Sequence, residues 1–180
     1  MALVILLLVS PMLLLVMLII LTIEGRPVFF RQTRVGYKLQ EFDLLKFRTM
    51  VVNEKRDFSL QPGCAEITLI GSILRRLKID ELPQLINVLR GDMSLVGPRP
   101  PLPSLLEGMN EVQKQRFEVL PGLTGLAQVN GNIHINWPTR FEYDLYYVEN
   151  MSLYLDIKIV FKTLLVVVFG EDKFKRKSDE

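Results

Sequence analysis

The first 23 residues, MALVILLLVSPMLLLVMLIILTI, contain no charged side chain. Roughly 20 apolar residues in a helix cross the hydrocarbon of a bilayer, so length alone permits a spanning helix. No basic region leads the segment and no small-x-small site precedes Glu24, which argues against a cleaved signal peptide. Ser10-Pro11 interrupts the run. Pro11 has no N–H for the Leu7 carbonyl, and lipid offers that carbonyl no water. Ser10 is expected to bond back to the Leu6 carbonyl and widen a bend. Two readings stay open on the residues alone: a kinked spanning helix, or a re-entrant helix whose arms enter and leave on one face.

The chain has 180 residues and a net charge of +2. That length suits one domain with a real core, and the charge balance argues against nucleic acid as a partner. A single cysteine, Cys64, excludes an internal disulfide. A single histidine, His134, argues against a His-rich metal site or a Ser-His-Asp triad. No Walker A loop, GxGxxG fingerprint or zinc spacing occurs.

Residues 25–50 read as a basic hairpin, with strands beginning at Val28–Phe30 and Phe42–Phe47 and a turn at Gly36. Its cations are Arg31, Arg34, Lys38, Lys46 and Arg48. Residues 53–66 read as a loop. Residues 71–79 read as a helix capped by Ser72, broken near Asp80 because of Pro83, with a second helix stopped by Gly91. Ser104–Glu107 has capping-box spacing ahead of a helix to about Leu120. Residues 121–131 read as a turn-rich strand region. Residues 153–169 form an apolar helix, either buried or lying in the interface with Lys158 and Lys162 at head-group level. KFKRK, residues 173–177, reads as a solvated tail drawn to anionic lipid.

Chemistry concentrates in KIDELPQLINVLRGDMSLVGPRP, residues 78–100. With a helix starting near Asp80, Asp80 and Glu81 sit at its positive end, which favours their ionised form. An ionised Asp80 is a usable nucleophile or metal ligand; an ordinary helix cap is the plainer alternative. Arg75 lies just upstream. Arg99 stands between two prolines that stiffen the backbone, and a guanidinium on a stiff loop suits a forked grip on phosphate. Acids, arginines and a bilayer segment together point to a charged phosphate substrate at a membrane surface. A Mg²⁺ ion would relieve the repulsion between acid and phosphate.

PVFFRQTRVG, KFRTM, LRRLKIDELPQLINVLRGDMSLVGPRP, PGLTGLAQVNG and FEYDLYYVENMSLYLDIKI, in that order, resemble the bacterial sugar transferase family, the monotopic phosphoglycosyl transferases. The resemblance covers about Leu3 to Val168. It implies transfer of a sugar-1-phosphate from a UDP-sugar to polyprenyl phosphate, starting assembly of a membrane glycoconjugate. It implies Asp80 as the nucleophile that becomes a phosphosugar aspartate, Glu81 as its partner in placing Mg²⁺, Arg75 and Arg99 as phosphate and donor contacts, and Lys46 and Arg48 as charge compensation. It implies a re-entrant helix broken at Ser10-Pro11, a catalytic domain on the cytoplasmic face of the bacterial inner membrane, and downstream glycosyltransferases as partners.

The expected fold is α+β. Residues 1–23 form the membrane helix. Residues 24–170 form a small helix-rich cytosolic domain with a β-hairpin or small sheet and amphipathic interfacial helices. Residues 171–180 form a basic, polar tail. Family members usually carry about a dozen further residues before the apolar helix, so the first arm is expected to be short, and the chain to resemble the minimal catalytic form. A homodimer is compatible with apolar membrane-facing surfaces. His134 and Trp137 are candidates for lining the sugar or nucleotide pocket. Tyr143–Tyr147 offer aromatics to an interface, and Asp144 is a weaker site candidate. The competing readings are a membrane-bound, Mg²⁺-dependent phosphohydrolase and a non-catalytic membrane scaffold.

Overall fold

The computed structural model describes residues 1–51 and 66–170. Helix α1 (Ala2–Ile23) has Pro11 inside it. The Ser10 hydroxyl donates to the Leu7 carbonyl at 2.8 Å, not to Leu6 as expected. That is the carbonyl Pro11 leaves without a donor, so Ser10 satisfies the gap in the ladder that its neighbour opens. Val16 and Ile20 are buried against Phe47 and Leu74, with Ile79 packed beside them, while Leu3, Val4, Leu7 and Leu8 are exposed. Only the C-terminal half of α1 is therefore seated on the body.

Strands β1 (Phe29–Val35) and β2 (Glu41–Phe47) form the expected antiparallel hairpin, with Phe29 opposite Phe47 and Val35 opposite Glu41. Helix α2 (Leu69–Arg76) starts after Thr68, whose side chain accepts from the Gly71 amide. The expected cap, Ser72, lies inside the helix and donates to the Leu69 carbonyl at 2.7 Å. A 3₁₀ helix, Ile79–Gln84, follows and contains Pro83. Its tight i→i+3 pattern is how the chain passes the proline before α3 (Leu85–Arg90) begins. Gly91 stops α3 in the left-handed region at φ 86°, as expected of a C-cap glycine.

Strands β3 (Ser94–Val96) and β4 (Gly122–Thr124) pair in parallel. A Cβ on Gly97 would collide with the Leu120 carbonyl, so glycine is required where the Pro-Arg-Pro loop leaves β3. The stretch expected to run as one helix from Ser104 to Leu120 is instead a 3₁₀ helix (Pro103–Gly108), α4 (Glu111–Lys114) and a second 3₁₀ helix (Gln115–Glu118). The capping box there is Asn110 with Gln113, not Ser104 with Glu107. Strand character in residues 121–131 stops at Thr124, and α5 (Leu126–Val129) follows.

Helices α6 (Trp137–Glu149) and α7 (Leu153–Phe169) close the body. Tyr147, expected among interfacial aromatics, is buried, and its hydroxyl reaches Asp156 Oδ1 at 2.8 Å. Helix α7 buries Ile159 and Val166 but exposes Leu153, Ile157, Phe161, Leu164 and Val168. Lys162 is turned inward to Asn130 Oδ1 at 2.5 Å, so only Lys158 keeps the expected outward place. Among the described residues the architecture is thus helix-rich with two small sheets and one apolar N-terminal helix. Residues 52–65, most of the expected loop, and the tail 171–180 lie outside the described residues.

Candidate active site

The 3₁₀ helix that accommodates Pro83 presents Asp80 and Glu81 in its first turn, against β2. The backing is set by Asn87 of α3, which is fully buried. Its Oδ1 accepts from the Leu45 amide at 3.1 Å, and its Nδ2 donates to the Asp43 carbonyl at 2.8 Å. Those two bonds clamp α3 to β2 and bring Lys46 beside the acids. Lys46 Nζ donates to Glu81 Oε1 at 2.6 Å. Arg99 Nη2 donates to the same oxygen at 2.6 Å, and its Nη1 lies 3.4 Å from Oε2. Burial alone would raise the Glu81 carboxyl, but Arg99 and Lys46 more than offset it and hold the group well below the usual carboxylate range.

Asp80 differs from its neighbour. It is buried, and its Oδ1 has no hydrogen-bond partner. Burial, then the Glu81 charge, pushes the Asp80 carboxyl up, opposed by Lys46, Arg75 and Lys78. Burial and Glu81 thus work against the ionised form that the helix end was expected to favour, while the three cations support it. Arg75 is close enough to act on Asp80, and Thr49 Oγ1 orients it by accepting from its Nε at 2.8 Å.

Asp80, Glu81, Arg75, Lys46 and Arg99 therefore come together. Arg48 does not join them. It is buried and donates to the carbonyls of Glu24, Gly25 and Arg26 at 2.8, 3.1 and 3.0 Å. It straps the end of α1 to the hairpin. Ser10-Pro11 is remote in role, within the exposed half of α1.

Arg99 also lines an open cleft of about 250 Å³, with Arg34, Arg116, Arg140 and Trp137 around it. Burial first, then Arg99, lowers the Arg34 guanidinium to about 10. The Arg140 guanidinium stacks over Trp137 at 4.7 Å. Arg116 pairs with Asp144 at 2.8 Å, both side chains 4% exposed, so the cleft carries excess positive charge from Arg34 and Arg140. Trp137 does line a cavity; His134 is exposed and is not among its lining residues. Arg34, Arg116 and Arg140 were missed as site residues. The available signal was the proline run 98–103, whose missing amides force donors to come from elsewhere.

Among the described residues no cluster of three or more His, Cys, Asp or Glu occurs. Among the described residues the acidic side chains placed to face a cation there are Asp80 and Glu81. This suits Mg²⁺, which keeps waters and takes substrate phosphates rather than an all-protein cage. Asp80 Oδ1 is a buried oxygen without a partner; the Glu81 oxygens have only the lone pairs left by Lys46 and Arg99.

A family model described as bacterial sugar transferase matches residues 1–170. The uncharacterized sugar transferase EpsL of Bacillus subtilis is 48% identical over 147 residues, covering 82% of this chain and 73% of that protein. The exopolysaccharide production protein ExoY of Rhizobium meliloti is 39% identical over 188 residues, covering 94% and 82%. The UDP-glucose:undecaprenyl-phosphate glucose-1-phosphate transferase of Klebsiella pneumoniae is 41% identical over 170 residues, covering 89% of this chain but 37% of that longer protein.

Proposed function

The chain belongs to the bacterial sugar transferase family, and from that premise we propose that it transfers a sugar-1-phosphate from a UDP-sugar to polyprenyl phosphate through a covalent phosphosugar aspartate. The observation that carries the reading is the pairing of an unpartnered, buried Asp80 oxygen with a Glu81 already neutralised by Lys46 and Arg99. One acid is free to form a bond; the other holds two cations beside it.

In the first displacement a carboxylate oxygen of Asp80 attacks the sugar-bearing phosphorus, the bond to the nucleotide's phosphate oxygen breaks, and UMP leaves. In the second, a phosphate oxygen of the polyprenyl acceptor attacks the same phosphorus and the acyl-phosphate bond breaks, returning the Asp80 carboxylate. Splitting the transfer lets each partner react in turn at one site. Lys46, Arg75 and Arg99 supply positive charge where it builds on the transferring group. The cleft beside Arg99, with Arg34, Arg140 and the Trp137 face, suits the donor nucleotide. Mg²⁺, held by Asp80 and Glu81 with substrate phosphates, would neutralise charge on the donor diphosphate.

Residues 24–170 act as the catalytic domain and 1–23 as its membrane helix. Helix α1 is long and apolar enough to cross a bilayer by length and composition. With its second half packed on the body, however, about 12 residues stay free, roughly 18 Å of helix against ~30 Å of hydrocarbon. That supports a re-entrant, one-sided insertion. The exposed apolar face of α7 supports the same membrane-surface placement, on the cytoplasmic side of the bacterial inner membrane. Downstream glycosyltransferases would consume the lipid product; a homodimer is compatible with this placement.

The test is to incubate the protein in lipid nanodiscs with a panel of UDP-sugars and Mg²⁺, with and without polyprenyl phosphate. One UMP per protein and an Asp80 adduct are expected without acceptor, and continuous UMP and lipid product with it. Sugar phosphate released to water without acceptor would instead identify a phosphohydrolase. No UMP under any condition would identify a scaffold.

A further inference from the structure

The proline-rich loop after β3 is held from outside at four consecutive carbonyls. Pro98 O accepts from the Gly122 amide at 2.9 Å, Arg99 O from Arg116 Nη2 at 2.6 Å, Pro100 O from Arg34 Nη1 at 3.1 Å and Pro101 O from the Val35 amide at 3.1 Å. Pro98, Pro100, Pro101 and Pro103 have no amide hydrogen, so the loop has few donors with which to tie itself. Its shape is therefore imposed by its surroundings, and the donor on Arg99 is a buried charge.

Arg116 Nη2 lies 2.6 Å from Arg99 O and 2.8 Å from Asp144 Oδ2. That nitrogen carries two hydrogens, one for each acceptor. The guanidinium also stacks 5.4 Å from the ring of Phe141, one turn before Asp144 on α6. A buried ion pair is a weak source of stability, because desolvation offsets most of its attraction. Its geometric effect is strong: α6 holds Arg116, Arg116 holds the Arg99 backbone, and the Arg99 side chain reaches Glu81.

We propose that Arg116, oriented by Asp144, is a positioning residue that fixes the Arg99 backbone so that its guanidinium lands on Glu81. This rests on the transferase reading in taking Arg99 and Glu81 as parts of the site.

The test is a double-mutant cycle on the rate of UMP release in nanodiscs. Arg116→Gln and Asp144→Asn are each made in the wild type and in an Arg99→Ala background. In the wild type, Arg116→Gln is expected to lower the rate by about 10- to 100-fold, the range caused by small misplacements near a reacting centre. In the Arg99→Ala background the same change is expected to cost under about twofold, since its effect passes through the missing side chain. Losses that multiply equally in both backgrounds would overturn the proposal. Arg116→Lys, which keeps a charged donor, is expected to lose less than Arg116→Gln; equal losses would also overturn it.

Where Arg116→Gln does not fold, Asp144→Asn carries the cycle. Hydrogen exchange supplies an arm that needs no turnover. Peptides covering residues 95–106 are expected to exchange faster in either variant while the β1–β2 hairpin is unchanged. Unchanged exchange at 95–106, or loosening throughout the body, would overturn the proposal. If the wild type releases no UMP from any UDP-sugar, the transfer reading fails, and the exchange arm still decides the positioning role.

Discussion

The Lys46–Glu81–Arg99 cluster and the Arg116–Asp144 pair are joined through the Arg99 backbone, yet they handle charge differently. In the cluster two cations share one carboxylate, the Arg99 side chain is 39% exposed, and the adjoining Asp80 has an oxygen without a partner. In the pair one cation meets one anion, and both are almost wholly enclosed. The first region has positive charge in excess and a free acceptor, the condition for taking up an anion and reacting with it. The second is balanced and closed, the condition for holding a shape. Buried charges thus serve reaction in one place and placement in the other, and the difference lies in how completely they are paired.

The largest effect should come from the reacting oxygen. Asp80→Asn preserves shape and removes the nucleophile, so turnover is expected to fall by about 1000-fold or more, with no phosphosugar adduct by mass spectrometry of quenched protein. Near-normal turnover would dissolve the distinction between the two regions. Glu81→Gln comes next. It leaves Lys46 and Arg99 without their shared anion and is expected to cost on the order of 100-fold in kcat/KM, the scale of losing one preorganised electrostatic group. A loss no larger than that of a remote surface change would show that the cluster is merely structural.

Arg48 sharpens the contrast from the side of the fold. Arg48→Met removes hydrogen bonds to three carbonyls at the end of α1 and leaves the largely buried Glu24 carboxylate without its cation. A loss of about 2–4 kcal/mol in stability is expected, seen as a lower thermal midpoint, while the folded fraction keeps kcat/KM close to wild type. Lys46→Met should do the reverse.

That two cations two residues apart have separate tasks was not legible in the sequence, because β2 ends at Phe47 and strand alternation no longer governs Arg48. The hairpin was legible: apolar runs flank a polar turn at Gly36. The stop at Gly91 was legible too, since few residues but glycine adopt the left-handed cap. Caps were not. Thr68 and Ser72 offer the same chemistry four residues apart, and Ser104–Glu107 and Asn110–Gln113 match the same spacing. Only where the chain is extended decides between them, and Pro103 diverts the first of the latter pair into a 3₁₀ turn. Asp80 and Glu81 stood out as adjacent acids before a proline. Arg34 is recruited to the Pro100 carbonyl across 66 positions, and Asp144 stands mid-helix among tyrosines. Tertiary contact gives both their roles, and no local pattern encodes it.

The smallest expected effect separates the two regions by the sign of their pH dependence. Burial, only partly offset by Arg116 and Arg140, pushes the Asp144 carboxyl up to about 6 from an ordinary 3.8. Between those values the folded protein holds a proton that the unfolded chain releases. The stability from this group is therefore full below about pH 3.8 and is lost as pH rises through about 6. Glu81 is shifted the other way, below its ordinary 4.5, so its contribution is present above about pH 4.5 and is lost as pH falls below it. Thermal midpoints in nanodiscs at pH 3.5, 5 and 7, subtracted from wild type, isolate each group. The advantage of wild type over Asp144→Asn should shrink as pH rises, and that over Glu81→Gln should grow, each on the order of 1 kcal/mol. Slopes of the same sign would mean that the enclosed pair and the open cluster carry their charges alike, and the contrast between them would rest on exposure alone.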